Sequence, residues 1–155
     1  MNLQSTIAAL NSVATVTPEF PPEAVETETR DALAALVKKY PALQKFPDYL
    51  ECLELTGGAH IHNQEFSLGI YGFGGYVVTS FDEGLFLDND RYFGFGEVLY
   101  YRKPEPVWVL AFDFERDSDQ VFTSPIEESD YVQCANTFLA LLNDFARGTY
   151  PGVHK

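Results

Sequence analysis

A chain of 155 residues, 46% hydrophobic and 15% aromatic, is long enough to be one domain with its own core, without a metal or disulfides to hold it together. Its formal net charge of −13, from 10 basic and 23 acidic residues, argues against direct nucleic-acid binding, because phosphates would be repelled. No run nears the ~18 apolar residues that span a bilayer and the first residues lack the basic stretch of a leader, so no membrane partner is expected and the expected compartment is the cytoplasm.

Leu3, Ile7, Leu10 and Val13 permit a short N-terminal helix, and "TPEFPPE" (17–23) follows as a turn or extended linker. Residues 1–23 are expected to be an arm lying on a single domain of residues 24–155. Val25, Thr29, Leu33, Leu36, Val37 and Tyr40 recur at helical spacing and predict a helix from about Ala24 to Tyr40, stopped by Pro41. Glu26, Glu28 and Asp31 near its start and Lys38 and Lys39 in its last turn suit the helix dipole. "FPDYLECLELTGG" predicts a second helix, with Pro47 at its first position, Asp48 in its first turn and Gly57 taking a left-handed stop.

The period then changes from 3.6 to 2. "EFSLGI", "YVVTSF" (76–81), "LFL" (85–87), "EVLYYR" (97–102), "VWVLAF" (107–112) and "QVFT" (120–123) read as strands, parted by the turn signals "GFGG", "DEG", "DND", "KPEP" and "RDSD". The short spacings leave no room for crossover helices, so the sheet is expected to be an antiparallel meander. "SPIE" (124–127), or else Ser129, is expected to cap a closing helix whose apolar face holds Val132, Ala135, Phe138, Leu139, Leu142 and Phe145, with Gly148 as its stop. The expected fold is therefore α+β, a meander flanked by N-terminal helices and one C-terminal helix. Thirteen Phe and nine Tyr suit such a pleated, half-buried surface. Cys52 and Cys134 are both placed in helices; a disulfide between them is open, but nothing in the spacing supports it and buried reduced thiols are the stronger reading.

Candidate chemistry is sparse. His60 and His62 share one side of an extended strand, but the third histidine, His154, lies in the tail, and metal sites need three or four ligands; ordinary polar surface is the stronger reading and no metal or other cofactor is expected. The glycines of "GIYGFGGYVVTS" precede a β-branched run instead of a helix, so they make a hairpin turn and not a phosphate loop. "DFERDSD" sets Asp113, Glu115, Asp117 and Asp119 at alternate positions, but Ser118 and Ser124 stand where a calcium loop needs Gly and Glu. An acidic hairpin edge, or a contact patch for a basic partner, fits better. Trp108 reads as core. No catalytic constellation is apparent, and the chain is expected not to be an enzyme.

A helix, then "FPDYLECLELTGG", then a meander, then a closing helix resembles the SUKH superfamily. Phe46, Pro47, Asp48, Tyr49, Leu53, Gly57 and Gly58 match its helix motif, with Thr56 where the family often has Asn. "VWVLAFDFERDSDQVFT" is similar to the family's paired late strands and "SDYVQCANTFLALLNDF" to its closing helix, so the resemblance covers about residues 24–148. It implies protein binding without catalysis. Many bacterial members are immunity proteins that neutralise a cognate toxin, often a nuclease, and fungal relatives include a regulator of cell-wall synthesis. The expectation is an immunity protein whose partner is a basic toxin domain, the alternative a regulatory or scaffolding module. A metal-dependent enzyme built on His60 and His62 is a third reading. Residues 82–130 hold 13 Asp/Glu against 4 Lys/Arg, so the expected contacts are Asp88, Asp90, Asp113, Glu115, Asp117 and Asp119, with exposed Tyr or Phe as anchors.

Overall fold

The computed structural model describes residues 2–18, 25–72, 86–88, 90–126 and 128–151, with backbone alone for 25–29 and 86–88. Helix α1 (Leu3–Asn11) leads into strand β1 (Thr15–Pro18); helix α2 (Val25–Lys39), a 3₁₀ turn (Pro41–Lys45) and helix α3 (Pro47–Thr56) follow. Strands β2 (Ala59–His62), β3 (Phe66–Ile70), β4 (Phe86–Asp88), β5 (Tyr92–Tyr100), β6 (Lys103–Asp113), β7 (Val121–Pro125) and β8 (Val132–Ala135) precede helix α4 (Phe138–Ala146). All pairings are antiparallel, in the order β1-β2-β3-β5-β6-β7-β8, and the α+β expectation holds. Strand β4 pairs with residues 92–94 of β5 and β3 with residues 96–100, so the two lie in tandem on one edge of the long β5.

The glycine pair after α3 has two structural causes. Gly57 sits at φ 68°, and its N–H closes the helix on the Leu53 carbonyl at 2.7 Å. Thr56 Oγ1 donates to the Cys52 carbonyl at 2.7 Å and accepts the Gly58 N–H at 3.1 Å, which secures the exit into β2. Gly72, just past β3, packs so tightly here that a Cβ on it would overlap the Gly57 carbonyl oxygen.

The core lies between the helices and one face of the sheet. Tyr49 of α3 stands at its centre, with ring centroids 5.3–6.3 Å from Phe93, Phe95, Phe112 and Phe138. Phe46 stacks on Phe112 at 4.4 Å, and Trp108 packs against the same core from β6. Helix α1 lies on α4 and buries Leu3 and Leu10, while β1 pairs with β2.

Several local expectations are corrected. The closing helix starts at Phe138, where Thr137 Oγ1 accepts the Ala140 N–H at 3.0 Å. Val132–Ala135, Cys134 included, is strand β8, and Val132 is 61% exposed. Ser124 is no helix cap: it lies in β7, and its hydroxyl donates to the Glu128 carbonyl and accepts the Asp130 N–H. The open edge of β7 needs backbone partners, and β8 supplies them. "KPEP" opens β6 instead of turning, because the hairpin is already closed at Tyr101 and Arg102. "YFGFG" belongs to β5, whose irregularity between Gly94 and Gly96 shifts the alternation by one, so that Phe93 and Phe95 before it and Val98 after it all enter the core. Thr17 and Pro18 belong to β1 and not to a linker. Residues 19–24, residues 73–75 of the "GFGG" turn, the strand expected at 76–81, the "DEG" turn, Leu85 and His154 lie outside the described residues. Among the described residues no helix is long and apolar enough to cross a membrane.

Candidate functional site

At one end of the sheet Arg91 enters β5 and Asp113 leaves β6, side by side because Tyr92 pairs with Asp113. The Phe114 N–H reaches the Arg91 carbonyl at 2.8 Å, closing the ladder. The Arg91 guanidinium grips the Asp113 carboxylate with both prongs, Nε to Oδ1 at 3.0 Å and Nη2 to Oδ2 at 2.9 Å. The Glu115 N–H adds a third bond to Oδ1 at 2.9 Å, and Arg116 Nε stands 3.5 Å from Oδ2. Glu115 Oε2 closes the ring from outside, 3.2 Å from Arg91 Nε.

The Asp113 side chain has no exposed surface, whereas that of Arg91 is 39% exposed. Burial by itself would raise the Asp113 pKa; hydrogen bonds from Arg91 and the Glu115 N–H, the Arg91 charge and Arg116 outweigh it, and hold the carboxyl below the usual carboxylate range. Aromatic rings back the clamp. The Arg91 guanidinium lies 4.9 Å from the centre of the Tyr92 ring, Tyr92 stacks on Tyr131 at 4.1 Å, and Arg116 covers Phe122 at 5.8 Å. Phe114 anchors the start of the turn on Phe93 and Phe46.

The expected contact residues divide accordingly. Glu115 and Asp117 are exposed on the 114–120 turn, and Asp90 is exposed beside Arg91 with φ 58°. Asp113 is buried and presents no charge to solvent. Asp119 is half-buried and accepts the Phe138 N–H at 3.2 Å, which serves the start of α4. Asp88 ends β4 opposite Tyr92, and its side chain lies outside the described residues. Aromatic anchors were expected without positions, and Tyr92 and Tyr131 stand where they could serve; the basic half of the site, Arg91 and Arg116, was not anticipated. Its signal was the interruption of an acidic stretch by the only arginines between residues 82 and 101 and between 103 and 130.

Elsewhere, His60 and His62 stack at 4.8 Å on β2, and His60 Nε2 lies 2.7 Å from Ser67 Oγ. Burial first, and the neighbouring His62 second, lower the His60 pKa. Among the described residues no group of three or more His, Cys, Asp or Glu is arranged to hold a metal ion. An open, polar cleft of about 770 Å³ runs between the Asn11–Thr15 turn and His62–Glu65. Neither family models, nor curated proteins, nor solved structures yield a match to this chain.

Proposed function

We propose that this chain is a non-enzymatic protein-binding domain of the SUKH kind, a cytoplasmic immunity protein that neutralises a basic toxin domain. The observation that carries the reading is the Arg91–Asp113–Arg116 clamp, which ties the exposed Glu115 to Arg91 and holds the backbone next to the exposed Asp90 and Asp117, beside the stacked Tyr92 and Tyr131. A rim already held in place loses little freedom when it binds. The −13 net charge steers a basic domain towards it, and half-exposed Tyr and Arg supply the side chains that dominate interface energies. Asp130, exposed next to Tyr131, extends the same anionic border.

The test is co-expression with the product of each adjacent gene that proves toxic when expressed alone. The chain is expected to protect the cell and to co-purify with the toxin. The variant Asp90→Asn/Asp117→Lys/Asp130→Lys, which leaves the Glu115–Arg91 pair intact and suits the left-handed backbone at position 90, is expected to keep its melting temperature and lose at least roughly tenfold in association rate at low salt. Undiminished protection by that variant would reject the site. Rim-dependent binding to a cellular protein with no toxic activity would replace immunity with the scaffolding reading.

A further inference from the structure

We infer that His60 and His62 form a two-imidazole site for a borderline divalent cation, of the class of Zn²⁺ or Ni²⁺, on the outer face of β2. The two residues are two apart on one strand, so they share the face opposite Ala59 and Ile61, which are buried in the core. Their rings already lie parallel to within 26°, with centroids 4.8 Å apart. A cation lies in the plane of each imidazole that holds it, at about 2.0–2.1 Å from two nitrogens roughly 3 Å apart, so the two rings leave their stack on binding and turn until both lone pairs converge on the ion.

The surroundings suit a neutral imidazole pair. Across the ladders, His62 faces Thr15 and Ser67, and His60 faces Thr17 and Gly69, so these cross-strand neighbours bring hydroxyls and no charge. Ser67 Oγ contacts His60 Nε2 at 2.7 Å and holds that ring in orientation. A cation at Nε2 takes the place of this hydroxyl. His62 also lines the open polar cleft, so a hydrated ion has a path to the pair and water can fill its remaining positions. Imidazole nitrogens select such cations over Mg²⁺ and Ca²⁺, which prefer oxygen. The inference stands apart from the acidic rim and does not depend on the immunity reading.

The experiment is a Ni²⁺ titration of the full chain, followed by calorimetry and by paramagnetic broadening of the imidazole NMR signals. One equivalent is expected to bind, broadening His60 and His62 first, in the presence of excess Mg²⁺. His60→Gln and His62→Gln are each expected to weaken binding at least roughly tenfold, and His154→Gln to leave it intact. Broadening confined to other residues, no broadening of either ring, or equal affinity in the His60→Gln/His62→Gln double variant overturns the inference. Should either variant fail to fold, the broadening pattern of the unaltered protein decides alone.

Discussion

Asp113 is a carboxylate with no exposed surface that stays ionised because Arg91 grips it from 22 positions away in sequence. Asp113→Ala strips Arg91 and the Glu115 N–H of their charge-assisted hydrogen bonds but leaves the guanidinium in contact with solvent and with Glu115, so it is expected to cost about 2 kcal/mol in urea denaturation at pH 7. The pH dependence has a definite sign. The folded pKa lies below the unfolded value, so the contribution is complete above about pH 4 and is lost as pH falls through the folded pKa. The gap between wild type and Asp113→Ala should therefore narrow at pH 2–3, and a gap of equal size at both pH values would contradict the clamp. Tyr49 gives the opposite expectation. Its hydroxyl is buried in a cage of phenylalanines and finds no hydrogen-bond partner among the described residues. Tyr49→Phe should raise stability by about 1 kcal/mol, since an unsatisfied buried donor costs that or more, and a lowered melting temperature would show that the hydroxyl has found a partner. The acidic repeat containing Asp113 was legible in the sequence. Its division into a buried anchor, exposed Glu115 and Asp117, and a helix-serving Asp119 was not, because it depends on a strand end and an arginine brought in from elsewhere.

At the scale of the element, local chemistry was sufficient where it was self-contained. Pro47 and Gly57 bound α3 as their backbone preferences dictate, and no distant contact is needed to read that. The closing helix failed for an instructive reason. Val132, Ala135, Phe138, Leu142 and Phe145 keep helical spacing across a real boundary, but the first two pair with β7 and only the rest belong to α4. Periodicity could not detect that β7 lacked a partner. Sequence shows a glycine but not what approaches it, and two glycines separate these cases. Gly72→Ala drives a Cβ into the Gly57 carbonyl oxygen, backbone against backbone, while Gly148 has φ +78° but no described atom within 4 Å of an added Cβ. Gly148→Ala should cost about 1 kcal/mol, the ordinary left-handed penalty. Gly72→Ala should cost several times as much, roughly 4 kcal/mol, because the α3 exit and the end of β3 must separate. Denaturation midpoints in the reverse order would mean that the α3–β3 contact is looser than the geometry shows.

The whole molecule joins a strongly acidic outside to an aromatic core, and the N-terminal segment belongs to both. Leu3 and Leu10 are buried against the core and β1 borders the sheet, so deleting residues 1–18 should remove about 4 kcal/mol of apolar burial and expose the edge of β2. Against a usual total of about 5–15 kcal/mol, the truncated chain is expected to unfold at a markedly lower urea concentration; an unchanged midpoint would reduce α1 and β1 to ornament. The acidic exterior sets a different expectation, for encounter. Residues 82–130 carry the larger part of the charge excess, and the described turn around Arg91 places Asp90, Glu115 and Asp117 at one end of the sheet. A basic partner guided by that field should associate faster at low salt, by roughly 10–10³-fold relative to conditions where the Debye length has shrunk to about 3 Å at 1 M. If Tyr92 and Tyr131 are the packed contacts of the proposed complex, its dissociation should change far less. Stopped-flow mixing with the co-purified partner over a salt series separates the two rates. Salt-dependent dissociation with constant association would move the recognition from the charged rim to buried ion pairs. Constancy of both would remove electrostatics from the account and leave the acidic surface as a matter of solubility.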